Sequence, residues 1–381
     1  MNIGFDAKRA FHNDTGLGEY SRNLIKSLAQ NYPDQNYYLF NPKPSRSFSI
    51  KAKNTCEILP SGFLNKLFRS AWRSYRVIKD LERLKIDLYH GLSHELPLGI
   101  HKTPIKSVVT IHDLIPERHP EQYNPIDVRI YRKKLSYACT NADSIIAASE
   151  QTKKDIIEYF KIPEQKITVC YQGCAPSFGI KASTEEKKRV QMRYGLPGEF
   201  FLYVGSVIER KNLLNICKAI LLNQNELNIP LVVVGKGKKY KAEVKEYIKQ
   251  NRLEQKIIFI SEKAGLSFVA EADMPAIYQS AVAMIYPSFF EGFGIPVLEA
   301  LFSRLPVITS NVSSLPEVGG EGAYYVDPGS VNEIAAAMKK IFSDKPFADA
   351  LTAKGWLHAQ NFTLEKSASQ VMNVYKTLCD L

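Results

Sequence analysis

Residues 281–299 read Ala281-Val-Ala-Met-Ile-Tyr286-Pro-Ser-Phe-Phe-Glu291-Gly-Phe-Gly-Ile-Pro-Val-Leu-Glu299. The first six are apolar and end at Pro287 and Ser288, the pattern of a strand buried on both faces. Gly292 and Gly294 then supply backbone angles closed to other residues, so a tight turn can follow. From Ile295 the pattern turns helical, with Pro296 in the first turn, where its missing N–H costs nothing. Strand, tight turn and helix make one repeat of an α/β layer. Glu291 stands at the turn and Glu299 about two helical turns further on. Amide groups at such a helix start favour an anion of the phosphate kind. Carboxylates beside a phosphate site suit a ligand that also carries hydroxyls, and a nucleotide sugar has both.

The same alternation runs through the chain, which is the signature of helices layered on parallel sheets. Strands are expected at 2–5, 37–40, 56–59, 88–90, 107–111, 144–147 and 167–169, and again at 200–204, 231–234, 256–260, 282–286, 307–309 and 323–326. Amphipathic helices are expected at 18–30, 63–84, 125–140 and 151–160, with a last one at 364–381. The polar stretch 181–193 separates the two series. The reading is therefore α/β with two Rossmann-like domains, 1–178 and 198–361, and a break between about 174 and 198. The final helix, about 362–381, has no strand after it, so the pattern allows it to pack on either domain. Two open sheets would leave a cleft lined by the turns at the carboxyl ends of their strands.

No stretch of the 381 residues approaches the ~20 apolar residues that span a bilayer, and no signal peptide pattern precedes the first strand. A cytoplasmic protein is the expectation. The six cysteines are scattered, and Cys170 and Cys174 lack the second pair that a zinc site would need. The net charge of +11 is uneven: residues 1–180 carry 26 Lys+Arg against 18 Asp+Glu, and the remainder 24 against 21. A basic first half could attract nucleic acid, anionic lipid or a phosphorylated substrate. No nucleic-acid-binding motif favours the first of these.

Four further turns would face the cleft. Asp14-Thr-Gly16-Leu-Gly18 precedes a helix, and its glycines allow close approach of a ligand, although a plain turn is an equal reading. Val108-Val-Thr-Ile-His112 delivers a histidine at a strand end; His90 and His94 also follow a strand. Gly205-Ser-Val-Ile-Glu-Arg210-Lys211-Asn212 brings two cations to a helix start. There the helix dipole disfavours them unless they serve an anion such as a diphosphate. Val234-Gly235-Lys-Gly237 has the same shape.

Taken together, these turns resemble those of the retaining GT-B glycosyltransferases of family 4. The likeness covers Gly16 and Gly18, Thr110-Ile-His112-Asp113, Gly205 with Arg210-Lys211-Asn212, and the Glu-x7-Glu run from Glu291 to Glu299. It implies the GT-B fold, two facing Rossmann-like domains with parallel sheets and a cleft, and a C-terminal helix that crosses back to the first domain. The second domain would bind a nucleotide-sugar donor and the first a saccharide or lipid-linked acceptor. Arg210 and Lys211 would hold the diphosphate, Glu299 the ribose and Glu291 the donor sugar. The backbone of Phe293, Gly294 and Ile295 would add contacts, with Gly16, Gly18 and Gly205 close to the donor and His112 near the anomeric carbon. Many members carry Arg directly after the glycine of the third turn. Here Ser206 stands there, and Arg210 would supply that charge. No Asp-x-Asp pair is present, so neither metal nor cofactor is expected. The Arg-Lys-Asn and Glu-Gly-Phe-Gly-Ile-Pro forms are similar to those of mannosyltransferases, which implies GDP-mannose and surface-polysaccharide assembly. A UDP-sugar donor (glucose or N-acetylglucosamine) and a non-catalytic, two-lobed sugar-nucleotide-binding protein are the alternatives.

Residues 63–85 carry Leu64, Leu67, Phe68, Ala71, Trp72, Tyr75 and Ile78 at helical spacing, with Lys66, Arg69, Arg73, Arg76 and Arg83 off that stripe. This is either a core-packed helix with a solvated basic face or a peripheral contact with an anionic membrane.

Overall fold

The computed structural model describes residues 1–45, 48–266 and 269–380. The chain forms two compact units, Met1–Gly173 with Phe362–Leu381, and Cys174–Asn361. In the first, the strands are β1 (Asn2–Asp6), β2 (Asn36–Phe40), β3 (Thr55–Ile58), β4 (Leu88–Gly91), β5 (Lys106–Ile111), β6 (Ser144–Ala147) and β7 (Ile167–Val169). They pair in parallel in the order β3-β2-β1-β4-β5-β6-β7. The second unit holds β8 (Phe201–Val204), β9 (Leu231–Val234), β10 (Ile257–Phe259), β11 (Ala283–Tyr286), β12 (Val307–Ser310) and β13 (Ala323–Val326). Their order is β10-β9-β8-β11-β12-β13, again all parallel. Every expected strand is present within a residue or two. Runs such as Leu231-Val-Val-Val234 are almost wholly buried because helices cover both faces of a parallel sheet.

The strand order reverses between β1 and β4 in the first unit and between β8 and β11 in the second. Such switch points open a crevice at the carboxyl ends of the flanking strands. The candidate site residues of the second unit gather at its switch point.

Two features depart from the sequence expectations. The stretch 179–197, read as a linker, belongs to the second unit. The Ser183 hydroxyl accepts the Glu186 amide and opens helix Thr184–Tyr194. Arg189, Arg193 and the Tyr194 hydroxyl converge on the buried Asp273 carboxylate at 2.6, 3.1 and 2.8 Å. Ion pairs hold this helix where an apolar stripe is thin. The last helix, Leu364–Leu378, packs on helix Gly16–Asn31 in the first unit, where Val371, Met372 and Tyr375 share a core with Leu24, Ile25 and Leu28. The expected end of that helix, Leu381, lies outside the described residues.

The second departure is the basic helix. It is helical over Phe63–Leu67, breaks at Phe68, and resumes through a π-helical turn, Trp72–Arg76, into Val77–Arg83. Trp72 is fully buried and donates its Nε1–H to Asp80. Arg73, counted on the solvated face, instead forks onto Asp6 and reaches Glu95 at 2.8 Å. Leu64, Leu67, Phe68 and Tyr75, which the core-packed alternative would bury, are all more than half exposed. Periodicity reports a stripe, and here most of the stripe faces outward.

Candidate active site

The turn after β8 is shaped by close backbone approach. Gly205 has φ +149°, and a Cβ on Gly235 would meet the Gly205 carbonyl oxygen at 1.9 Å, so only glycine fits where the β8 and β9 turns cross. Asn212, in the left-handed region, ends this turn and donates to the carbonyls of Pro287 and Pro328 at 2.9 and 2.7 Å. The Phe289 amide in turn donates to the Arg210 carbonyl. These bonds lock the β8 and β11 turns together and bring Arg210, Lys211 and Glu291 into one buried cluster.

Glu291 Oε1 lies 3.1 Å from both Arg210 Nη1 and Lys211 Nζ, and it accepts the Tyr286 hydroxyl at 2.9 Å. That hydroxyl itself accepts from Lys211, whose ammonium also sits 4.8 Å from the Tyr286 ring centre. Arg210 donates to the Phe290 carbonyl as well. Burial pushes the Glu291 carboxyl up, but the Lys211 and Arg210 charges outweigh it and hold the group at about 2. Burial lowers the Lys211 pKa, opposed by Glu291. The cluster is two cations around one permanent anion, a net positive pocket.

Beyond Glu291 the loop is braced by the β12 side. The Ser314 hydroxyl donates to the Glu291 and Phe293 carbonyls, and the Glu291 amide donates to Ser313. Gly294 (φ +122°) caps helix Ile295–Phe302, which runs from the turn with Pro296 in its first turn. Glu299 stands along that helix, partly exposed and outside the triad. Its Oε2 accepts the hydroxyl of the fully buried Tyr278 at 2.6 Å. Phe293, Gly294 and Ile295 therefore lie between the two glutamates. Tyr278, Ser313 and Ser314 escaped the sequence reading as parts of the site, and Tyr286 and Asn212 stood in its motifs with no role assigned. An aromatic in a buried strand reads as core, and only the terminal position of Tyr286 on β11 hinted otherwise.

The first unit holds the other candidates. Gly16 opens helix Gly16–Asn31 with no atom within 4 Å of where a Cβ would stand, whereas a Cβ on Gly18 would strike the Asn13 carbonyl at 1.8 Å. Gly18 thus has a packing reason to be glycine. His112, one residue past β5, is buried and donates its Nε2–H to the Leu92 carbonyl at 2.9 Å, with Gln172 Nε2 3.4 Å from Nδ1. Its amide donates to His94 Nε2 at 2.8 Å, and the Tyr20 ring meets it edge-on. Burial, reinforced by His94, lowers the His112 pKa to about 3, so the ring is neutral at ordinary pH. His90 is a core residue, bridging Thr110 and the Tyr375 hydroxyl of the last helix.

Comparison with known proteins fits both halves. Residues 15–178 match the model of Glycosyltransferase Family 4, and residues 184–358 that of Glycosyl transferases group 1. The chain is 30% identical to the O-antigen chain mannosyltransferase B of Escherichia coli over 99% of its own length and 100% of that protein's. It belongs to glycosyltransferase family 4. This glycosyltransferase is also 27% identical to the O-antigen chain mannosyltransferase RfbU of Salmonella typhimurium, over 71% of this chain and 69% of that one. Its GT-B fold matches the sucrose-phosphate synthase of Thermosynechococcus elongatus with a TM-score of 0.78 at 18% identity, covering 99% of both chains. HepE of Anabaena, solved with UDP and glucose, matches at 0.73 and 16% identity, likewise over 99% of both.

Proposed function

We propose that this transferase moves mannose from GDP-mannose to a saccharide or lipid-linked saccharide in bacterial surface-polysaccharide assembly, with retention at the anomeric carbon and no metal. The observation that carries the reading is the buried Arg210–Lys211–Glu291 cluster at the β8/β11 switch point. Its net positive charge suits a diphosphate, and a relative along the whole chain is named a mannosyltransferase.

In this reading the bond from the anomeric carbon to the diphosphate breaks while the acceptor oxygen bonds to the same carbon. The acceptor proton passes to the departing phosphate oxygen. Arg210 and Lys211 take the developing charge. Two charge-assisted contacts at about 1.5–3 kcal/mol each would speed the step by about two to four powers of ten. Glu291, held ionised, is no proton donor; it fixes the cations and accepts hydroxyls of the sugar. Glu299 holds the ribose.

Within the segment 63–85, the largely exposed stretch 63–70 serves as a peripheral contact with anionic membrane. Phe63, Leu64, Leu67 and Phe68 are 54–78% exposed and alternate with Lys66 and Arg69. Each basic residue near such a surface adds about 1 kcal/mol. Among the described residues no helix is long and apolar enough to cross a membrane.

Thermal shift and hydrolysis with GDP-mannose, UDP-glucose, UDP-N-acetylglucosamine and ADP-glucose test the donor. Stabilisation and slow hydrolysis by GDP-mannose alone is the expected result. Preference for a UDP-sugar overturns the base assignment, and binding without hydrolysis of any donor overturns catalysis. Co-sedimentation with anionic vesicles at low salt tests the membrane contact, and its absence removes that part.

A further inference from the structure

A cavity of about 300 Å³ in the first unit has no role in the site described above. It is walled by Tyr75, Leu96, Leu98 and Ile130, with Lys133 and Lys134 at its edge. That volume is at the small end of ligand pockets, and the combination of apolar wall and few polar groups is theirs. Tyr75, Leu98 and Ile130 are 57%, 37% and 50% exposed, so this apolar surface opens to the outside. The wall is firm. The Tyr137 hydroxyl accepts the Gly99 amide at 2.6 Å and donates to the Pro97 carbonyl at 3.3 Å, while the Leu98 amide donates to the Ser74 carbonyl at 2.7 Å.

Position and charge say what would occupy it. Glu95, also on the wall, accepts Arg73, and Arg73 forks onto Asp6, the last residue of β1. The cavity therefore borders the carboxyl end of the sheet beside its β1/β4 switch point, the end at which open α/β sheets receive ligands. The two segments that flank it, 61–76 and 123–137, carry Lys66, Arg69, Arg73, Arg76, Arg129, Arg132, Lys133 and Lys134 against Asp127, with Arg73 and Lys134 paired to Glu95 and Arg132 to Glu117 from neighbouring segments. An apolar slot rimmed by cations fits a molecule with a hydrocarbon chain and an anionic head.

We propose that this cavity takes the hydrocarbon chain of a phosphate-bearing lipid, with Lys133 on its phosphate beside the Lys134–Glu95 pair, and so presents a lipid-linked acceptor. This rests on the transferase reading and gives it an acceptor class. Calorimetric titration of the full chain with farnesyl phosphate, farnesol and inorganic phosphate tests it. Farnesyl phosphate should bind, farnesol should bind at least about tenfold more weakly, and equimolar inorganic phosphate should not displace it. Ile130→Glu, at a half-exposed position, should raise Kd at least about tenfold, and Lys133→Ala about threefold or more, with unchanged melting temperatures. Failure of farnesyl phosphate to bind, farnesol binding as tightly, or Ile130→Glu binding like wild type each overturns the proposal. Wild-type hydrolysis of a nucleotide sugar, measured without amphiphile, separates the two ideas. Hydrolysis with no farnesyl phosphate binding sinks the lipid site alone, and binding with no hydrolysis sinks the transferase reading instead.

Discussion

Glu291→Gln keeps the shape of the side chain and removes its charge. The native carboxylate lies 3.1 Å from two buried cations and accepts a hydroxyl at 2.9 Å. Those cations hold it at about 2 against an ordinary 4.5, a gap that corresponds to about 3 kcal/mol of stability. Stripping one partner from a buried ion pair independently suggests about 3–5 kcal/mol. At about 2–4 °C per kcal/mol for a unit of this size, the melting temperature of the second unit should fall by about 6–12 °C at pH 7. The pH dependence has a definite sign. A depressed carboxyl pKa stabilises fully above the unfolded value near 4.5, and the contribution drains away as pH falls through about 2. The difference between wild type and variant should shrink from about 3 kcal/mol at pH 7 to about 2 at pH 3.5. Differential scanning calorimetry of both proteins across that range reads it directly. Equal melting temperatures at pH 7, or a gap that stays constant on acidification, would refute the picture of a carboxylate buried to hold two cations. In turnover assays, kcat of Glu291→Ala should fall by about tenfold or more while donor KM moves by less than about threefold.

Three further outcomes follow from the geometry. Glu299→Ala and Tyr278→Phe should both raise donor KM, the latter by about two- to tenfold for one lost hydrogen bond, with kcat nearly unchanged; a kcat loss in Tyr278→Phe would assign that hydroxyl another role. Gly235→Ala should destabilise the second unit by about 2 kcal/mol or more, because the new methyl overlaps the Gly205 carbonyl, and a native urea midpoint would count against the crossing of those turns. The pH profile of kcat/KM should show no limb from His112 between pH 5 and 8, since burial keeps that ring neutral down to about 3; a limb near 6.5 abolished by His112→Gln would contradict this.

Most strands were legible because they are short apolar runs closed by a turn, the edge strand Thr55–Ile58 with its exposed Glu57 being the exception. Parallel sheets leave no face on which polar residues could blur the signal. Residues 63–84 show where legibility stops. Their apolar stripe is real, but which way it faces is set by partners far along the chain, Asp6 and Glu95 pulling Arg73 inward while Trp72 turns in to Asp80. Residues 181–193 were unreadable for the opposite reason, since their helix depends on Asp273, some eighty positions away. At the site, the motif named Arg210, Lys211 and Glu291 as separate contacts. Their mutual pairing through Tyr286 is a matter of three dimensions, and no spacing encodes it.

The last helix carries a consequence for how the molecule is made. The first unit lacks part of its core until Val371, Met372 and Tyr375 arrive, and Tyr375 is the partner of buried His90. At about 5–20 residues per second, synthesis of everything after Gly173 takes on the order of ten to forty seconds. During that time the ribosome holds a nascent sheet whose seat for Tyr375 is open, while the second unit completes itself downstream. The unit that begins first is finished last, and a chaperone that shields exposed apolar surface would find its substrate there.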